Sequence, residues 1–328
     1  MTDERLTVAV TGPTGELGRA FLRALDRRRD VARVLGMARR PFDPASMGLR
    51  KTEYRQGDVL DRAAVDALAE EADVFVHLAF IILGGHDETR RVNLIGSRNA
   101  FAAAVAAKRV KRLVYTSSVA AYGFHEDNPQ PLTEDVPVRG TERFYYSAQK
   151  AELESALDDE TTGADLEVYV LRPCIVAGPD ALMLIRELPQ VAAPGLLRRV
   201  LLPVLPDPGV PLQLVHHDDV ASALVAATRG AGTPGAYNLA GEGTITLGDL
   251  ARELGWRSIP VPSQLVTAAA VGAALPLVPS QLQWVNAGRV PVVMDTSRAH
   301  RELRWRPKYD TREVLRLTVA AAREQGLV

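Results

Sequence analysis

Tyr146 and Lys150 stand four residues apart in Tyr146-Ser147-Ala148-Gln149-Lys150, downstream of Ser118. On a helix that spacing puts a phenol and an ammonium on one face. A positive charge beside the ring favours the phenolate and is expected to lower a pKa that starts near ~10. A tyrosine so tuned can exchange a proton with a carbonyl or carbinol oxygen near neutral pH. Ser118 offers a second hydroxyl for the same oxygen as alkoxide character develops, with Ser117 a near rival. Together they form the proton half of a hydride transfer.

The partner for that half is expected at the start of the chain, where Gly12-Pro13-Thr14-Gly15-Glu16-Leu17-Gly18 follows the apolar run Leu6 to Thr11 and precedes a helical pattern from Glu16 to about Arg28. Strand, glycine turn and helix form the context for a dinucleotide pyrophosphate held on helix N-terminal amides. The adenosine ribose is read near the end of the second strand. There the chain has Ala38-Arg39-Arg40, without an acid to accept from a 2′-hydroxyl. Arginines grip phosphate bidentately, so NADP(H) is preferred and NAD(H) allowed. Asp58 is placed to accept from the adenine amino group, unless it only helps to cap the helix after Asp61.

Further strands are expected at Val34 to Ala38, Val74 to Leu78, Leu113 to Thr116 and Val168 to Leu171. Helices are expected at Ala63 to Glu71, Val92 to Ala107 and Tyr145 to Leu157. This alternation predicts an α/β fold, a doubly wound parallel-sheet Rossmann domain. After Arg172-Pro173 prolines crowd the chain. Gln213 to Val215 and Tyr237 to Leu239 are strand candidates able to rejoin the sheet, and helices are expected at Leu247 to Leu254, Gln264 to Ala274 and Thr311 to Arg323. The expected division is a dinucleotide-binding domain over 1–175, with 212–240 rejoining it, and a smaller, mostly helical substrate lid over 176–211 and 241–328.

Charge adds little: 39 Lys and Arg against 40 Asp and Glu in 328 residues recruit neither nucleic acid nor an acidic membrane. A small-molecule substrate is the expected partner. Leu265 to Val278, the most apolar later stretch, is interrupted by Pro276 and too short for a membrane span. The lone Cys174 and the polar N-terminus fit a cytoplasmic protein. His216-His217-Asp218-Asp219 has metal-ligand chemistry, but strand alternation is expected to send neighbours to opposite faces, so no metal is expected.

Several motifs together resemble the extended short-chain dehydrogenase/reductase superfamily, in its NAD(P)-dependent epimerase/dehydratase branch. They are Thr11-Gly12-x-x-Gly15-x-x-Gly18, His77-Leu78-Ala79, Asn93-Leu94-Ile95-Gly96, Tyr115-Thr116-Ser117-Ser118, Ala121-Tyr122-Gly123, Tyr146-x-x-x-Lys150, Leu171-Arg172-Pro173, His217-Asp218-Asp219-Val220 and Trp305-Arg306-Pro307-Lys308-Tyr309. The resemblance implies Tyr146 as acid/base, Lys150 on the nicotinamide ribose and Ser118 on the substrate oxygen. It implies a cofactor site from Gly12, Thr14, Gly15, Glu16, Leu17, Gly18, Arg39, Arg40, Asp58, Val59, Leu78, Ala79, Thr116, Tyr146, Lys150, Pro173, Ile175 and Val176. Substrate would meet Phe80, Ser118, Tyr146 and Met183. Asn93 would tie two strands together, and the helices over 92–107 and 145–157 would form a homodimer contact.

The resemblance also narrows the reaction. Sugar-nucleotide dehydratases of this superfamily carry an acidic pair after the position of Ser118, where this chain has Val119 and Ala120. Elimination of water is therefore disfavoured. The apolar lid residues, Leu182, Met183, Leu184, Ile185, Leu196, Leu197 and Leu201 among them, suit a ketone or alcohol with a hydrophobic body, or else form lid core. Arg186, Arg198 and Arg199 argue for the alternative, a nucleotide-sugar epimerase that retains its cofactor. A non-catalytic dinucleotide sensor is a third reading, opposed by the intact Ser118, Tyr146 and Lys150.

Overall fold

The computed structural model describes residues 5–83, 86–142, 144–192, 202–262, 265 and 290–328. The chain alternates strands and helices through β1 (Leu6–Thr11), α1 (Glu16–Asp26), β2 (Val31–Ala38), β3 (Thr52–Gln56), α2 (Arg62–Glu70), β4 (Val74–His77), α3 (His86–Ala106), β5 (Arg112–Thr116), α4 (Tyr145–Thr161) and β6 (Glu167–Pro173). Such alternation builds a parallel sheet, because each helix must carry the chain back across a face before the next strand begins. The seven-stranded sheet has the order β10-β6-β5-β4-β1-β2-β3, β10 being Gly235–Leu239, and its pairs are parallel. Strand order reverses between β1 and β4, so the crevice at their carboxyl ends is the natural ligand position.

Both sheet faces are apolar and both are covered. Val8, Val10, Val34, Val74 and Val114 pack with Phe21, Leu22 and Leu25 of α1 and with the helix His217–Thr228. Ala9, Leu35, Phe75, Leu113 and Tyr115 face the other way, against α2, α3 and α4. The two sets alternate along each strand, as a sheet buried on both sides requires. Burying Phe21 or Leu25 fully stabilises by roughly 1.5–3 kcal/mol each, and these contacts seat α1 beneath the glycine turn.

Beyond β6 the chain continues as β7 (Ile175–Ala177), α5 (Met183–Arg186), α6 (Pro189–Ala192), β8 (Val204–Asp207), β9 (Leu214–His216), α7 (His217–Thr228), β10, α8 (Leu247–Leu254), β11 (Arg257–Pro260), α9 (Ser297–Arg301) and α10 (Thr311–Glu324). Of the two late strand candidates, the one over 237–239 lies in the main sheet within β10. The one over 213–215 falls largely in β9, which pairs with β7 in a separate two-stranded sheet. Its expected return to the main sheet is corrected: β7 leaves the sheet after Pro173 and takes β9 with it. A second small sheet joins β8 to β11. Leu182, Ile185, Leu188 and Leu205 pack with α8 and α10 in a third core. Capping boxes at Thr246/Asp249 and Asp310/Glu313 fix where α8 and α10 begin. The helix expected over 264–274 lies outside the described residues apart from Leu265, as do Leu196, Leu197, Arg198, Arg199 and Leu201. Among the described residues no helix is long and apolar enough to cross a membrane.

Candidate active site

The glycine turn joins β1 to α1 at the switch point, and each glycine has its own steric reason. Gly12 has φ 74°, and a Cβ there would stand 2.7 Å from the Ala79 backbone nitrogen. A Cβ on Gly18 would lie 2.3 Å from the Gly12 carbonyl oxygen. Only hydrogen fits at either place. At Gly15 the nearest atom to an added Cβ is the Gly12 carbonyl oxygen, at 3.5 Å, so that side of the turn is open. Gly15 begins α1 with extended backbone and no side-chain cap. An uncapped N-terminus of an eleven-residue helix, bordered by an open glycine face, fits an anionic pyrophosphate. Leu78 and Ala79 approach Gly12 through their backbone.

Other expected cofactor residues are dispersed around this crevice. Thr14 and Leu17 flank the turn and are half-buried, as are Ile175 and Val176 in β7. The Glu16 carboxylate instead accepts from the Leu182 amide at 3.3 Å and faces Arg186 at 3.8 Å, tying α1 to α5, and burial pushes its pKa up. Arg39 and Arg40 are exposed past β2, with Arg39 3.7 Å from Glu88. Asp58 accepts from the Leu60 amide, while Asp61 is the residue that caps α2. Val59 is buried under Gly96, and Pro173 ends β6. Thr116 presents its carbonyl to Lys150, and its hydroxyl is buried without a hydrogen-bond partner.

The chemistry-bearing side chains gather one strand away. Ser118 follows β5, begins a short 3₁₀ turn over Val119–Tyr122, and its Oγ accepts from the Ala120 amide at 3.2 Å. Its own proton is thereby left to donate, and the Ser118 hydroxyl acts to lower the Tyr146 pKa. Ser117 is turned away, donating to Glu154. The structure thus separates two serines that the sequence left as rivals. Tyr146 lies in the first turn of α4 and Lys150 one turn later. Lys150 Nζ donates to the Thr116 carbonyl at 2.9 Å and to the Tyr115 hydroxyl at 3.4 Å, and stands 3.9 Å from the centre of the Phe80 ring. Phe80 meets the Tyr146 ring edge-on at 5.6 Å, so it touches both members of the pair. Met183 opens α5 and is half-buried.

Burial works against the expected effect of Lys150 on Tyr146. Burial pushes the Tyr146 phenol up to about 12, opposed by the Ser118 hydroxyl. Burial also pushes the Lys150 ammonium down to about 7, opposed by the charge of Glu154. Desolvation penalises the charged form of each group.

Two further expectations change. Asn93 bonds both the amide and the carbonyl of Ile81 and the side chain of Gln149, at 2.8, 2.9 and 2.8 Å. It therefore ties α3 to the segment after β4 and to α4, rather than strand to strand. His216 ends β9 and His217 opens α7, so strand alternation does not separate them. Their rings stack at 4.2 Å, and with Asp218 they form a group whose ligand atoms lie within 4.8 Å of one another. His77 sits in the core, bonded to Thr11 at 2.7 Å and Ser97 at 2.9 Å.

Sequence reasoning missed the buried network behind the site. Arg172 and Glu154, 8% and 9% exposed, pair at 2.6 Å, and Arg172 also donates to the Tyr122 hydroxyl at 2.8 Å. Tyr122 in turn donates to Asn238 of β10 at 2.7 Å. One signal was available: Glu154 is four residues past Lys150, on the face that carries Tyr146.

A sequence profile described as the NAD dependent epimerase/dehydratase family matches residues 8–240. Ceramide reductase of Caulobacter vibrioides is 34% identical over 229 residues, covering 70% of this chain and 62% of that protein. The Bordetella bronchiseptica enzyme WbmG, solved in complex with NAD, superposes with a TM-score of 0.74 at 18% identity, over 99% of this chain and 96% of WbmG. UDP-glucose 4-epimerase of Thermotoga maritima, solved with UDP-glucose, gives 0.72 at 19% identity, over 97% and 99% of the two chains.

Proposed function

Because this chain belongs to the NAD dependent epimerase/dehydratase family, we propose that it is a carbonyl reductase or alcohol dehydrogenase acting on a ketone or secondary alcohol with a hydrophobic body. The observation that carries this is the grouping of Ser118, Tyr146 and Lys150 beside the crevice that begins at Gly12. When bound, the nicotinamide cofactor supplies or accepts the hydride. Gly12, Gly15, Gly18 and the first amides of α1 would hold its pyrophosphate, and Lys150 would hold its ribose. Tyr146 delivers the proton to the substrate oxygen, or takes it in the reverse direction, while Ser118 donates a hydrogen bond to that oxygen. Val119 and Ala120 are buried and carry no titratable group, which disfavours dehydration.

The hydrophobic substrate rests on Phe80 at the Tyr146–Lys150 pair, on half-buried Met183, and on the likeness to a ceramide reductase. The buried Leu182, Ile185 and Leu188 serve the lid core instead. In this reading residues 176–211 and 241–328 form the substrate side, and Arg39 and Arg40 favour NADP(H). A cytoplasmic homodimer contacting through α3 and α4 is the assembly proposed. Nucleotide-sugar epimerisation is the second reading, favoured by Arg186 beside Glu16. Cofactor release from the purified protein separates the two: free exchange with turnover of a long-chain ketone supports the reductase. Tight retention, with interconversion of a UDP-sugar, overturns it.

A further inference from the structure

We propose that Phe80 is a positioning residue that gates the cofactor: its ring caps the Lys150 ammonium, and it must swing aside before a nicotinamide ribose can be held there. The proposal rests on the reading of Lys150 as the ribose-binding residue. An ammonium carries three N–H donors. At Lys150 one goes to the Thr116 carbonyl at 2.9 Å and one to the Tyr115 hydroxyl at 3.4 Å. The face of the Phe80 ring takes the third direction, its centre 3.9 Å from Nζ in a cation–π contact. A ribose hydroxyl can therefore reach the ammonium only by displacing one of these three groups.

Two of the three are fixed. Thr116 offers a backbone carbonyl at the end of β5, which no side-chain rotation moves. Tyr115 is 1% exposed, its ring packed between those of His77 and Phe101. Phe80 is half-buried, and beyond the lysine it meets the edge of Tyr146 at 5.6 Å. Its backbone is held on both sides, because Ala79 lies against Gly12 and Ile81 is bonded to Asn93 through both its amide and its carbonyl. Opening is then a change of side-chain rotamer that leaves the chain where it is. The place of this segment gives a second reason. Ala79 touches the glycine turn and Phe80 touches Lys150, so a dinucleotide reaching from the open face of Gly15 to the lysine must pass the ring. Cofactor affinity falls with the fraction of molecules in which the ring is aside.

The ring current of Phe80 makes the gate visible by NMR. With ¹³C-labelled lysine, the ε-methylene protons of Lys150 are assigned among the five lysines from Lys150→Met. At pH 6 the ammonium is the main form, since burial pushes its pKa down only to about 7. The Lys150 signal is expected upfield of an ordinary lysine, and to move downfield when NADPH is added or, without cofactor, in Phe80→Leu. By calorimetry, Phe80→Leu is expected to bind NADPH about threefold or more tighter than the parent. Binding of 2′,5′-ADP, which lacks the nicotinamide ribose, should be the same in both proteins. NADH and ADP replace this pair if NADH binds the parent more tightly. Equal or weaker cofactor binding by Phe80→Leu, or a Lys150 signal that the cofactor leaves in place, overturns the proposal. If Phe80→Leu does not fold, the Lys150 signal of the parent decides alone. A signal that moves with cofactor in a protein that turns over no ketone or alcohol would instead count against the proposed function and leave the gate standing.

Discussion

Tyr146 and Lys150 show how strongly the environment controls residues whose types are right for the chemistry. Paired on one helical face, they do not activate each other while buried, because burial raises the phenol and lowers the ammonium. Replacing Tyr146 by Phe removes the proton but keeps the ring packed on Phe80. Turnover is expected to fall by roughly 10²- to 10⁴-fold, the range for loss of a general acid, with NADPH affinity within about twofold; stopped-flow turnover and fluorescence titration measure the two. Cofactor choice is also a residue-scale matter. The double change Arg39→Ala/Arg40→Ala is expected to lower kcat/KM with NADPH about tenfold or more, consistent with the roughly 1.5–3 kcal/mol of a charge-assisted hydrogen bond. Efficiency with NADH should stay nearly constant. Equal losses with both cofactors would show that the arginines do not read the 2′-phosphate.

At the scale of elements, the β1 turn and α1 act as one unit whose geometry depends on glycines with different duties. Gly18→Ala puts a methyl 2.3 Å from the Gly12 carbonyl, so α1 must shift off the sheet. A destabilisation of about 1–3 kcal/mol is expected, measured as a lower midpoint in urea unfolding. Gly15→Ala meets only a 3.5 Å contact and its backbone suits alanine, so stability should hold while NADPH affinity falls. If Gly15→Ala binds NADPH like the parent, the open face of the turn is not where the pyrophosphate rests. α4 carries its functional residues with similar economy. Tyr146, Lys150 and Glu154 share one face, and Ser147 on another bonds the Ala120 carbonyl at 2.6 Å, locking the helix to the Ser118 turn.

For the whole molecule, two buried histidines contribute to the acid response. His77 and His216 are held neutral by burial, their pKa values pushed down to about 3 and about 4. Between those values and ~6.5 the unfolded chain binds more protons than the folded one. Stability is therefore unaffected by these groups above pH ~6.5 and is lost as pH falls below it. Urea midpoints measured from pH 7 to pH 4 should decline, and His77→Asn should decline less steeply. A variant with the same slope as the parent would remove His77 from the account. The sequence by itself determined the alternation of strand and helix, the glycine turn and the four-residue spacing of Tyr146 and Lys150, because these follow from local periodicity and local sterics. Distant contacts decided the rest. Ser117 and Ser118 are alike in sequence, and Glu154 on α4 holds the first of them away from the site. Leu182 and Ile185 became core because α8 and α10 pack against them. β9 paired with β7, and β10 took the place beside β6. Each of these outcomes is set by what a side chain or strand meets in space, which its neighbours in the chain do not specify.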